Sequence, residues 1–242
     1  MRREIFAVLL MSLVASAAID QSYIQTVSRS GASSLQKTME LAVFSNQLAT
    51  EGLAKMADYC EKRSDINCSV DVEAKEIVIT ENFASGGYYV FSSEFGIPSI
   101  TYTMSISRVP TDRFSNSLGR LLVAANATEY AGSGGSAKSI DLADKEGNAE
   151  AAGILKTLKA NITYVIVMPT GVSEARAGSV EGTISGKTAS FDLLEVMSEQ
   201  GGPIVVKSQE LNYGYLIAIA GVIVLGALAL SFAGTRPSRR KK

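Results

Sequence analysis

Polar and apolar positions alternate most regularly between Ser99 and Val109. Ile100, Tyr102, Met104 and Ile106 share one face, and Ser99, Thr101, Thr103, Ser105 and Ser107 share the other. Successive side chains of a strand point to opposite sides, so this pattern predicts a strand with one face on a core and one face in water. Shorter runs predict strands at Ser22–Gln25 and Lys37–Phe44, around the polar turn Ser28–Ser34. Ser69–Phe83 reads as extended. Its alternation changes phase at Lys75-Glu76, where a bulge or tight turn is expected. Ile162–Met168 is almost wholly apolar and predicts a central strand. Val180–Ile184 and Thr188–Leu193 bracket Ser185-Gly186-Lys187 and predict a hairpin. Ile204–Val206 predicts a last strand.

The period changes to three and four residues after Asn46. Leu48, Ala49, Gly52, Leu53, Met56 and Cys60 fall on one side, and Glu51, Lys55, Asp58 and Lys62 on the other. This predicts an amphipathic helix to Arg63 with Asn46 as its cap. Ala131–Asn148, which opens AGSGGSAKS, reads as a long surface loop or a boundary between halves. The expected fold is α+β: a β-rich, antiparallel, sandwich-like domain with one main helix, followed by a single C-terminal membrane helix.

Both ends are apolar. Residues 1–18 combine Arg2 and Arg3, an apolar run from Ile5 to Val14, and Ala15-Ser16-Ala17, the pattern of an export signal peptide. Residues 214–234 contain no charge and are long enough to cross about 30 Å of hydrocarbon. Tyr213 and Tyr215 stand at one edge of that run. The other edge leads into a basic tail over 235–242. Tyrosines favour the interface and cations stay inside, so the tail is expected in the cytoplasm and residues 19–213 outside the cell.

Charge and rare residues narrow the function. Of the 23 Lys and Arg, seven lie at the termini, leaving 16 between Ile19 and Tyr213 against 23 of the 24 Asp and Glu. An acidic exterior of this kind argues against nucleic acid as a partner. With no His, the commonest general base is missing and a Ser-His triad is impossible. No catalytic residue and no cofactor is assigned. Cys60 and Cys68 are expected to pair once exported. Gly182–Thr188 has the outline of a phosphate-binding loop but leads into a strand, so a hairpin is the better reading.

Three further sets of residues carry candidate chemistry. Asn67, Asn126 and Asn161 each begin an Asn-x-Ser/Thr triplet and fit the glycosylation pattern. Asp141, Asp144 and Glu146 form an oxygen-rich run suited to calcium, although the spacing is not that of an EF-hand. Leu53 and Met56 on the helix and Tyr102 and Met104 on the regular strand are candidate ligand-facing residues, with a simple core role as the alternative.

From Ile162 to Leu193 the chain runs through Met168-Pro169-Thr170-Gly171, a short strand, Val180–Ile184, a Ser-Gly turn and Thr188–Leu193. With the earlier hairpin and helix and the closing membrane helix and basic tail, this resembles the LppM-type domain of bacterial and archaeal envelope proteins. The resemblance implies an envelope protein that binds lipid or glycolipid. The chain lacks the lipid-attachment Cys of the lipoprotein members and has Phe191 where many relatives have Trp, so no functional residue is carried over. Partners expected on these grounds are the membrane, crossed once, and a lipid, a glycolipid or another envelope protein. Two other readings are an envelope hydrolase built on Asp or Glu and a purely structural component.

Overall fold

The computed structural model describes residues 20–40, 46–62, 66–84, 86, 88–124, 139–157, 160–198 and 201–234. The signal segment 1–18, Asn126, residues 131–138 of the glycine-rich stretch and the basic tail 235–242 lie outside the described residues.

The amino-terminal hairpin joins β1 (Asp20–Val27) to β2 (Ser33–Glu40). The second strand therefore begins four residues before its expected start and is described only to Glu40. Helix α1 (Asn46–Lys62) stands where a helix was predicted, with Asn46 as its first residue and Leu53 and Met56 on its buried side; Arg63 lies outside the described residues. The phase change at Lys75-Glu76 is a tight turn: β3 (Cys68–Asp71) folds back on β4 (Glu76–Phe83). Asp71 closes this turn by accepting from the Glu73 and Ala74 amides, and Lys75 takes a positive φ of 54°.

Next come β5 (Tyr89–Phe95), β6 (Ser99–Ile106) and β7 (Arg108–Val109). On β6 the predicted alternation holds: Tyr102, Met104 and Ile106 are buried, and Thr101, Thr103 and Ser105 are half-exposed. Helix α2 (Thr111–Ala124), β8 (Ile140–Asp141) and helix α3 (Lys145–Thr157) follow. Two further helices thus join the one main helix that was expected, and α3 begins inside the stretch read as loop. Each buries an i, i+3, i+4, i+7 stripe: Phe114, Ser117, Leu118 and Leu121 on α2, and Asn148, Ala151, Ala152 and Leu155 on α3.

The remainder is β9 (Asn161–Val167), β10 (Gly171–Ala177), β11 (Val180–Glu181), β12 (Thr183–Ser185), β13 (Thr188–Asp192), the short α4 (Leu193–Val196), β14 (Ile204–Leu211) and α5 (Tyr213–Gly234). The hairpin across Ser185-Gly186-Lys187 forms, with Gly186 at φ +59°. The single strand expected over Val180–Ile184 is instead two, because β11 pairs with β10 and β12 with β13 in different sheets. They part at Gly182, where a Cβ would stand 2.6 Å from the Phe191 ring and 3.1 Å from Ala175.

Seven strands make one mixed sheet, ordered β12-β13-β9-β1-β2-β4-β3, in which β1 and β9 are parallel and the other neighbours antiparallel. Five make an antiparallel sheet, β11-β10-β14-β6-β5, and β7 pairs with β8 alone. Buried residues from both large sheets and from α1 to α4 form one hydrophobic core, which draws on the chain before and after the glycine-rich stretch. Tyr89 on β5 reaches across to the first sheet, donating to the Gly31 carbonyl at 2.6 Å.

Cys60 and Cys68 form a disulfide with Cα atoms 5.4 Å apart, tying the end of α1 to the start of β3. It closes a short loop, so a Cys60→Ala, Cys68→Ala chain should unfold about 2–3 kcal/mol more easily. The denaturant midpoint of the two chains, compared under oxidising conditions, reads this. Equal midpoints would remove the bond from the stability of the fold.

Candidate functional site

Polar side chains cross the inner face of the first sheet. Strand β1 turns Gln21, Tyr23, Gln25 and Val27 inward, and β2 turns in Ser33, Leu35, Lys37 and Met39. Tyr23 lies opposite Lys37 on one side and level with Tyr164 on the other. The Tyr23 and Tyr164 rings stack 5.8 Å apart, Phe114 from α2 meets Tyr23 edge-on at 6.0 Å, and the Lys37 ammonium lies 5.2 Å from the Tyr23 ring centre. The Tyr164 hydroxyl donates to Gln25 Oε1 at 2.7 Å, and Gln25 Nε2 donates to Ser33 Oγ at 3.0 Å.

Burial sets the electrostatics of this row. It lowers the Lys37 ammonium to about 8 and pushes both tyrosine hydroxyls far above their ordinary range, with Tyr23 adding to the rise at Tyr164. An amine in that range is partly neutral and chemically competent near pH 8. It is, however, enclosed by the core in this conformation, so it meets no substrate there.

The row ends at an open groove. Ser33, its last member, lines a depression of about 570 Å³ at the end of the β1–β2 hairpin, with Thr26, Ser28, Ser34, Asn82 and Phe83. Hydroxyl and amide groups set in a mostly apolar surface suit a neutral ligand with both an apolar part and hydroxyls. Among the described residues no Asp or Glu lines it, so none of them offers a carboxyl acid or base there. Several acidic side chains elsewhere have structural partners. Glu210 accepts from Tyr102 at 2.7 Å and pairs with Arg29 at 2.6 Å. Glu174 is held below the usual carboxylate range, first by its hydrogen bond from Lys207 and then by the charges of Lys207 and Arg176. Burial, and then the bond to Glu210, raises the Tyr102 hydroxyl.

The residues singled out by sequence fall as follows. Leu53, Met56, Tyr102 and Met104 are all buried members of the hydrophobic core. Asp141 and Asp144 serve the local backbone: Asp141 Oδ1 accepts from the Ala143 amide, and Asp144 caps α3 by accepting from the Gly147 amide. Asp141 also faces Arg108 at 3.7 Å. Among the described residues no three His, Cys, Asp or Glu side chains converge as a metal-binding group. Asn67 and Asn161 are exposed. The Gly182–Thr188 segment is a hairpin, as its sequence predicts.

Sequence reasoning missed Lys37, Tyr23, Gln25 and Tyr164. The one signal was the inward alternation of β1 and β2, which places polar groups where core residues are expected.

The carboxyl end forms a second distinctive region. Strand β14 runs into α5 across Asn212 alone. From Tyr213 to Leu230 the helix is long and apolar enough to cross a membrane, and none of that stretch is buried by the rest of the molecule. Comparison of the chain with family models, with curated proteins and with solved structures gives no significant match in any of the three.

Proposed function

We propose that the chain is a non-enzymatic protein of the cell envelope, anchored by α5, that presents its β-rich domain outside the cell and binds a lipid, a glycolipid or another envelope protein. The observation that carries this reading is the junction at Asn212. A strand from the middle of the second sheet becomes, one residue later, a charge-free helix of 22 residues, and from Tyr213 to Leu230 its apolar surface is unburied. Such a surface is unstable in water and stable in hydrocarbon. The intramolecular disulfide agrees with an oxidising compartment for the domain. The export signal and basic tail read from the sequence supply the orientation.

For the ligand, support comes from the groove beside Ser33 and Phe83, whose mostly apolar surface carrying hydroxyl and amide groups fits a lipid or glycolipid, and from the resemblance of residues 162–193 to LppM-type envelope domains. Two experiments test the reading. Protease added to intact cells should remove the domain and leave an epitope placed after Lys242 protected; protection of the domain instead would overturn the topology. Full-length protein, stripped of lipid in detergent and incubated with a total glycolipid extract, should retain glycolipid detectable by mass spectrometry. A Ser34→Trp change that fills the groove should abolish retention. Recovery of no lipid or glycan would leave a partner protein as the binding target.

A further inference from the structure

We propose that the β5–β6 turn and the start of α5 together form an apolar collar that lies in the headgroup layer of the bilayer and fixes the domain against the membrane surface. The juxtaposition that carries it is the gathering of four exposed apolar side chains at one end of the second sheet. Phe95, Ile97, Leu211 and Tyr213 are 79, 70, 51 and 67% exposed. Phe95 ends β5, Ile97 lies in the turn to β6, Leu211 ends β14 and Tyr213 begins α5. The three strands are neighbours and end level: Phe95 pairs with Ile100, Ile100 with Glu210, and Ser99 with Leu211.

Hydrogen bonds join the turn to the helix. The Asn212 amide donates to the Pro98 carbonyl at 2.8 Å, and the Gly96 amide donates to Ser99 O at 2.9 Å to close the turn. Asn212 Oδ1 accepts from the Tyr215 amide at 3.2 Å, the bond by which an Asn starts a helix. The domain therefore has no linker with which to stand away from the bilayer. The helix length then sets its height. The 22 residues of α5 extend about 33 Å at 1.5 Å each, against a hydrocarbon core of about 30 Å. The span is used almost completely, so Tyr213 must sit at the hydrocarbon boundary, and a turn bonded to Asn212 must sit in the headgroups just above it.

The chemistry fits that layer. Aromatic and aliphatic groups are favoured at the interface, and a tyrosine hydroxyl stays hydrated there. Glu94 alternates with Phe95 to the opposite side of β5. Arg29, two-thirds exposed while paired with Glu210, brings a cation to the same end of the sheet, where phosphate groups would accept from it.

This proposal rests on α5 spanning the membrane, and the test separates the two. Cys60 and Cys68 are joined, so a single added thiol can be labelled on the full-length chain in vesicles of zwitterionic and anionic phospholipid. An environment-sensitive dye at Ile97→Cys should emit to the blue and be quenched by headgroup-region spin-labelled lipid as strongly as a dye at Tyr213→Cys. A dye at Val90→Cys, near the start of β5, should behave as in water. Adding Ile97→Asp beside a dye at Phe95→Cys should cut the quenching at Phe95. If a dye at Leu225→Cys is quenched by deep spin labels while that at Ile97→Cys stays water-like, the collar is wrong and the span stands. If none of the dyes is quenched, both fail.

Discussion

Replacing Lys37 with Met should stabilise the protein at pH 7 by about 2–3 kcal/mol, a gain in melting temperature of about 5–10 °C for a domain of this size. Burial lowers the Lys37 ammonium from its ordinary value of 10.5 to about 8. Below pH 8 the lysine is charged in both states, and the folded state bears the whole desolvation penalty. Between 8 and 10.5 the unfolded chain holds a proton that the folded chain has released, so stability must rise with pH across that window. Met has a similar volume and no charge to desolvate, and the Tyr23 ring contact it forfeits is worth about 1 kcal/mol. The opposite trend begins above pH 10, where tyrosines ionise in the unfolded chain while burial keeps Tyr23 and Tyr164 neutral in the folded one. Stability of the native chain should therefore peak near pH 9–10, and the Lys37→Met chain should lack the rising limb. Denaturant titrations at pH 7 and pH 9.5 decide it. Destabilisation by the same amount at both values would mean that the ammonium is well solvated or paired in the fold.

That lysine also marks where reading the sequence stops working. Strand β6, the β12–β13 hairpin, helix α1, the Cys60–Cys68 pair and the apolar helix α5 were all legible, because each satisfies a local rule: period two, a turn with glycine at positive φ, period 3.6, an isolated cysteine pair, an uncharged run. Helices α2 and α3 obey a local rule too. Their stripes are short, and that of α3 is built from Asn148, Ala151 and Ala152, so burial is supplied by small residues that carry little hydrophobic signal. The break of Val180–Ile184 into two strands depends on Phe191 and Ala175 closing on Gly182, a contact between distant elements. Membership in the two sheets, and the parallel pairing of β1 with β9, have the same non-local origin. The candidate site was the least legible part. Gln21, Tyr23, Gln25 and Lys37 look like the wet side of a hairpin until Tyr164, brought in by β9, and Phe114, brought in by α2, cover them.

The anchoring helix should respond to charge in the opposite way from a core helix. Val222→Arg with Leu225→Arg places two cations near the middle of α5, each unfavourable for membrane insertion by about 2.5–3.5 kcal/mol. Together these come to about 5–7 kcal/mol, a shift in partition of roughly four to five orders of magnitude. The chain should then leave the carbonate-resistant membrane fraction and appear among soluble or aggregated species. Both side chains are exposed in the folded molecule, so the changes remove no packing from the domain. The melting temperature of the domain should stay where it is, because surface substitutions usually change stability by less than about 0.5 kcal/mol. It is this pairing of outcomes that identifies the helix's solvent. A helix stabilised by packing on the domain would lose thermal stability and keep its place in the fractionation, whereas one stabilised by lipid would do the reverse. Full retention of the doubly substituted chain in the membrane would mean that something other than α5 holds the protein there.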